Sequence, residues 1–521
     1  MKNTALIFAF ALVLLGPLAL REKQSRAQRG SAAEETLVII TPHNEAIRFE
    51  FGRAFHDAVL AKTGRHVSID WRTPGGASEI SNYLASEYLG AFQNYWINTL
   101  HRPWSAEVEA SFASPKVAPG DTPAGGARRA FLDSNVGCGI DLLFGGGSFD
   151  FIQQAEPGRL VDGGIVTAHP EWFNANTIPQ NLGGEPMWDP HGRWVGACLG
   201  AFGICYNADS LARLHIAKPP AQWRDLADSK YLGEIALADP TQSGSIAKVF
   251  EMLIQQQMSE SHDGAAAGWE RGLRLIQEIG GNARYFTDSA AKIPFDVEMG
   301  DAAAGMCIDF YGRFQSEFVR KRDGSSRLQY VTPEGGSSVG SDPIALLRGA
   351  PHAGIAREFI EFVLSSDGQK LWNFKVGTPG GPVKYALRRL PIRPELYVPT
   401  FAEFRSDPAV DPFQQAQSFV YHPEWTGGLF RVIAFTVRAM CIDPHEELRG
   451  AWRALIAAGF PPEASRMFYD VSTVNYEAAN GRIRDTLRSP QKIDQVRLAK
   501  ELNDGFRERY RAAAELARAG K

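Results

Sequence analysis

The apolar positions of this chain recur in two alternating periods. A continuous apolar run at 36–41 (TLVIIT) has the texture of a strand buried on both faces. Behind it Ile47, Phe51, Phe55 and Val59 repeat every fourth residue, and Thr63-Gly64 supplies a stop, so the spacing predicts a helix. Val67, Ile69 and Trp71 then alternate as a second strand, and a small-residue loop at 73–78 (TPGGAS) leads into another helical segment. The same unit returns at 141–148 (DLLFGGGS) and at 235–245 (IALADPTQSGS). Strand, loop and helix in this order predict an α/β fold with a largely parallel sheet whose strand carboxyl ends carry the ligand-facing loops.

Two stretches break that rhythm. Residues 194–207 (WVGACLGAFGICYN) are apolar but too rich in glycine for a good helix, and they read as extended chain crossing between lobes. Residues 339–345 (VGSDPIA) read as a second crossing. Beyond about residue 395 the pattern becomes helical, and the final stretch places Ile493, Val496, Leu502, Phe506 and Tyr510 near one helical face. No internal repeat is present.

With 521 residues the chain exceeds what one core usually organises, so more than one packed unit is expected. A near balance of 55 basic and 59 acidic side chains, without a basic tract, removes the electrostatic reason to propose a nucleic-acid partner. Lys2 followed by the apolar run 5–20 reads as an export signal or an uncleaved signal anchor. The five cysteines lack CxxC spacing, so neither a zinc site nor a full disulfide framework is signalled.

Four loops share small residues, accessible backbone amides and a helix beginning directly after: 41–44, 75–78, 145–148 and 243–245. Helix N-termini present unpaired N–H groups at a positive dipole end, so their convergence in one cleft would hold an anion. Glycine admits the ligand to the backbone, and Ser or Thr hydroxyls add donors. For any single loop the plainer reading is a helix cap. The candidate ligand residues are Thr41, His43, Asn44, Gly75, Gly76, Ser78, Gly146, Gly147, Ser148, Ser243 and Ser245, joined by Asp309 and Tyr311 at the end of a strand-like run from 302. His43 and Tyr311 would serve as metal ligands only if a metal were bound, and no cofactor is signalled. The loop 145–149 (GGGSF) is not GxSxG, no Walker A sequence occurs, and 445–449 (HEELR) lacks the second His of a zinc-protease helix, so no catalytic residue is assigned.

From 39 to about 397 the chain resembles the extracellular solute-binding proteins of ABC importers, in the branch that includes ferric-ion-binding proteins. The likeness rests on TPHNEAIR (41–48), DLLFGGGS (141–148), WVGACLGAFGICYN (194–207), DPTQSGS (239–245), AAAGMCIDFYGR (302–313), and SDPIALLRGAP with FVLSSDGQKLW (341–372). It implies a two-lobed type 2 periplasmic-binding-protein fold with two extended hinge crossings, and a small-molecule or ion ligand delivered to an ABC permease. Ferric-binding relatives commonly place two adjacent tyrosines where this chain has Phe310-Tyr311, so only the second is retained.

The expected organisation is a signal and linker at 1–35, lobe 1 at 36–198 and again at 339–394, lobe 2 at 199–338, and a helical extension at 395–521 packing on a lobe. The expected role is a periplasmic or exported monomeric receptor, not an enzyme, for an anionic or metal-linked solute. The alternatives are an exported hydrolase built on His43, Asp309 and Tyr311, and a membrane-tethered ligand sensor.

Overall fold

Residues 35–489 and 491–520 are described by a computed structural model of the protein; the export-signal reading of 5–20 lies outside them. The first strand, β1 (Glu35–Ile40), is buried from Leu37 onward because both of its faces are covered. Leu37 and Ile39 face one apolar core, Val38 and Ile40 a second on the other side of the sheet. Beside β1 lie β2 (Val67–Arg72) and β3 (Leu142–Phe144), both parallel to it. The helix Glu45–Thr63 connects β1 to β2 and buries Ile47, Phe51, Phe55 and Val59, the predicted face. Its ends are specified locally: the Asn44 side chain accepts the Ile47 amide, and Gly64 closes the helix at φ 72°.

Short β4 (Leu160–Val161) and the hairpin β5 (Asn181–Leu182) and β6 (Glu185–Pro186) precede β7 (Val195–Gly200). After the single residue Ala201 the chain continues as β8 (Phe202–Asn207), which belongs to a different sheet. That second sheet adds β9 (Ile235–Ala238), β10 (Ala283–Thr287), β11 (Ala304–Ile308) and β12 (Leu328–Val331) in the order β10-β9-β11-β8-β12. The chain then returns as β13 (Gly340–Leu347), and β14 (Leu390–Pro391) closes the first sheet. The first sheet has the order β14-β7-β13-β3-β1-β2, with β4 also on β13. The late strand β13 enters antiparallel between β3 and β7. The first sheet combines a parallel β2-β1-β3 core with the returning antiparallel strand β13, and the second combines a parallel β10-β9-β11 set with the entering antiparallel strand β8; two such sheets joined by extended crossings match the expected two-lobed type 2 periplasmic-binding-protein arrangement.

The helical C-terminal region divides between the lobes. Leu396 is fully buried, Phe374 packs on Phe404 and Ala416 joins the first lobe's core. From Leu429 to Ala517 the apolar side chains enter one core with Trp223, Trp269 and the second sheet. The chain therefore passes between lobes a third time near 416–429. The stretch Pro423–Ile442 is apolar and long enough to span a membrane by length alone, and over half of it is buried against lobe 2. The last helix, Lys492–Arg518, buries Leu498, Leu502, Phe506, Tyr510, Ala513, Ala514 and Ala517. Ile493 and Val496 are instead 52% and 62% exposed. The expectation failed there because alanines, not the larger residues near the helix start, carry the contact stripe into the core.

The described cysteines are all free, and four of the five are buried.

Candidate functional site

The loops at the carboxyl ends of the parallel strands converge on one cleft of roughly 600 Å³ between the lobes, as open α/β sheets require. Of the residues singled out from sequence, His43, Asn44, Gly75, Gly76, Gly146, Gly147, Ser148, Ser243, Ser245 and Tyr311 line it. Thr41, Ser78 and Asp309 do not. Thr41 is fully buried, donates to the Phe144 carbonyl at 2.6 Å and accepts the His43 amide at 3.0 Å. It clips the first loop to the third and positions His43 rather than touching the cleft. Asp309 is absorbed by Arg313 at 2.9 Å, so the residues of the hydrolytic alternative do not all face the same space. Ser78 lies within the first turn of the helix Ala77–Asn94, behind Gly76.

The cleft walls are rich in unspent backbone donors. First-turn amides have no partner inside a helix. Gly76 caps Ala77–Asn94 and Gly147 caps Ser148–Ala155 without side chains to accept those amides, while the Asp150 carboxylate reaches back only to the Gly147 amide at 3.2 Å. On the second lobe, Ser243 caps Gly244–Ser259 by accepting the Ile246 amide at 3.4 Å, the ordinary capping role. The Ser148 and Ser245 hydroxyls and the amides of Ser148, Phe149, Gly244 and Ser245 have no hydrogen-bond partner among the described residues. Gly145, at φ 89°, is where glycine is required: a Cβ there would come within 2.5 Å of the His43 ring.

Some of the lining charges are paired, whereas Glu79, Asp150 and Asp288 have no cation within 4 Å among the described residues. Arg389 forms an ion pair with Asp342 and stacks over Phe310 at 4.3 Å from the ring centroid. Burial alone would push the Arg389 guanidinium down, but the neighbouring Asp342 carboxylate overrides this and holds it protonated. The register of β13 shifts between Asp342 and Pro343, where proline has no N–H to give the ladder, and Asp342 lines the cleft at that irregularity. His43 is buried, and neither ring nitrogen has a hydrogen-bond partner among the described residues. Desolvation first, then Arg389 and Arg48, hold its pKa well below the usual range. His43 is therefore neutral at pH 7, with both ring nitrogens buried. Burial raises the Tyr311 phenol, which likewise stays protonated. Among the described residues, no group of three or more His, Cys, Asp or Glu is placed to hold a metal ion.

Lys248 also lines the cleft, held by Glu185 of β6 at 2.8 Å and Glu251 of its own helix at 2.9 Å. Glu185 comes from lobe 1 and Lys248 from lobe 2, so this pair spans the lobes. Five aromatic side chains, Phe149, Phe202, Phe310, Tyr311 and Phe430, share the lining. Sequence reading missed Arg389, Asp342, Lys248, Asp150 and Phe430. The one signal for Arg389 was a basic pair flanked by the apolar runs YAL and LPI; an Arg buried among apolar residues needs a carboxylate partner.

Asp150 supports a prediction independent of any ligand. Desolvation raises its carboxyl to about 6, against the opposing pull of the Gly147 amide. The folded protein thus holds this proton more tightly than the unfolded chain. The resulting stabilisation is full below the unfolded pKa and is lost as pH rises through about 6. Asp150→Asn should stabilise the fold at pH 7.5 by an amount on the order of 1–3 kcal/mol, read as a higher melting temperature, and change it little at pH 4. Equal shifts at both pH values in calorimetry would contradict this.

A protein of Salmonella typhimurium named phosphoglycerate transport regulatory protein PgtC is 27% identical over 177 residues, 34% of this chain. The match spans 40% of that relative's own length. An uncharacterized protein of Haemophilus influenzae is 26% identical over 173 residues, 33% of this chain and 45% of its own. Among solved structures, iron-bound HitA from Pseudomonas aeruginosa is 17% identical, with a TM-score of 0.47 over 77% of this chain and 99% of its own. The periplasmic binding protein AfuA from Actinobacillus pleuropneumoniae, solved with fructose-6-phosphate, is 18% identical, with a TM-score of 0.44 over 65% of this chain and 82% of its own. The profile of the family described as bacterial extracellular solute-binding protein matches residues 141–407, more than half of the 521 residues, and takes in the third loop, both crossings, the second sheet and Arg389. The chain belongs to the bacterial extracellular solute-binding proteins.

Proposed function

We propose that this protein is a periplasmic receptor that captures a small phosphorylated anion between its lobes and presents it to an ABC permease in the inner membrane. The observation that carries this reading is the meeting, on one cleft, of uncapped first-turn amides from three helices with the Arg389 guanidinium and the Ser148, Ser245 and Tyr311 hydroxyls. A phosphate group offers several acceptor oxygens and up to two negative charges, the chemistry such a donor set matches. Arg389 pairs with Asp342 and Lys248 is shared by Glu185 and Glu251, while Glu79, Asp150 and Asp288 line the cleft with no cation within 4 Å among the described residues, so the reading rests on the backbone and hydroxyl donors rather than on net positive charge. The name of the Salmonella relative, which refers to phosphoglycerate, points the same way. Capture breaks no bond; the neutral Tyr311 orients the anion.

Calorimetric titration with inorganic phosphate, a series of phosphate esters and their dephosphorylated alcohols tests the reading. At least one ester should bind at about 1 μM or tighter, near −8 kcal/mol. Its alcohol should give no measurable heat. Tight binding of an uncharged sugar, with none of any phosphate species, would replace this function with another.

A further inference from the structure

The C-terminal extension reaches the cleft itself. Phe430 begins the helix Phe430–Val437, whose Val432, Ile433 and Val437 are buried in the lobe 2 core, and its own half-buried ring lines the cleft. There it meets the ring of Phe149 from lobe 1, with centroids 4.4 Å apart and planes tilted by 34°. The position of Phe430 is held on both sides. Upstream, Tyr421 and Thr426 donate to the Glu251 carboxylate at 3.0 and 2.6 Å; downstream, Arg438 reaches Asp239 and Thr241 in the loop before Gly244 at 3.3 and 3.2 Å. Phe149, in turn, occupies the first turn of Ser148–Ala155, and it lines the same cleft as Ser148. An anion on the free amides of Ser148 and Phe149 would carry its organic body against the two rings.

We infer that Phe430 is a specificity-determining residue: with Phe149 it forms an aromatic wall, one ring from each lobe, against which the carbon skeleton attached to the anion packs. The inference rests on the anion reading above and adds to it that the extension is part of the ligand site, and that bare phosphate is not the preferred solute. The two rings touch each other across the lobes and form one continuous apolar wall, so they reward a ligand with a body large enough to lie against it.

The test is a titration of wild type, Phe430→Ala and Phe149→Ala with inorganic phosphate, glycerol phosphate, a hexose phosphate and phenyl phosphate. Wild type should prefer the esters to inorganic phosphate. Each variant should weaken the larger esters by about 3- to 10-fold and leave inorganic phosphate unchanged. A uniform loss across all probes would make Phe430 a mere lobe-packing residue and overturn the inference. Unchanged ester preference in both variants would overturn it as well, with the anion reading intact. Wild-type protein that bound none of the probes would remove both.

Discussion

Arg389→Ala should weaken binding of the phosphorylated ligand by roughly 30- to 4000-fold, the 2–5 kcal/mol that follows truncation of one member of a buried charge pair. Two effects combine. The guanidinium that would meet the anion is lost, and Asp342, which the same guanidinium neutralises, is left in the cleft as an opposing charge. Asp342→Asn in the same chain should therefore restore part of the lost affinity, because the double variant removes the repulsion while the helix amides remain. Arg389→Lys keeps a charge but not the planar fork that both pairs with a carboxylate and stacks on Phe310, so it should fall between wild type and alanine. Titration calorimetry on the four proteins checks the order. An Arg389→Ala protein that binds as wild type does would take Arg389 out of the site.

Lys248→Met should cost about 3–5 kcal/mol of stability without touching the first-turn amides. Lys248 is the only cation within 4 Å of Glu185 and Glu251 among the described residues, and both carboxylates are buried. Around it gather Ser338 of the return crossing, which donates to Glu185 at 2.7 Å, and the Tyr421 ring, with the ammonium 3.7 Å from its centroid. Both lobes, a hinge strand and the third passage of the chain thus meet on one ammonium group. Removing it leaves two uncompensated carboxylates at the place where the lobes must stay in register. Adding Glu185→Gln and Glu251→Gln to Lys248→Met should recover much of the loss, since neutral amides can still be hydrogen-bonded in place. Scanning calorimetry that found Lys248→Met as stable as wild type would show that this cluster is not what joins the lobes.

What could be read from the sequence, and what could not, divides along physical lines. Strands such as β1 and β9 are legible because burial on both faces leaves continuous apolar runs, and the loops behind them because a strand end that offers backbone to a ligand must be built of Gly, Ser and Thr. Ten of the thirteen residues chosen on that ground line the cleft. Thr41 and Asp309 were chosen by the same logic and turn out to be internal: a hydroxyl or carboxylate beside a site loop is as useful for fixing the loop as for meeting a ligand, and sequence does not distinguish the two. The charges of the site were hidden for a different reason. Arg389 and Asp342 lie 47 positions apart, and Glu185 and Lys248 meet only because β6 and the helix Gly244–Ser259 come from different lobes. The extension was legible as helical, but a periodic stripe states only that a face is buried. That its early part stays with lobe 1, its later part fills lobe 2 and Phe430 enters the cleft depends on which surfaces the two lobes leave open.

The most direct test of the central claim is native mass spectrometry of the protein purified, without refolding, from its own cells. The account predicts a bound mass that is released on denaturation and analyses as a phosphorus-containing organic anion. A neutral sugar or a bare metal ion released in its place would contradict it.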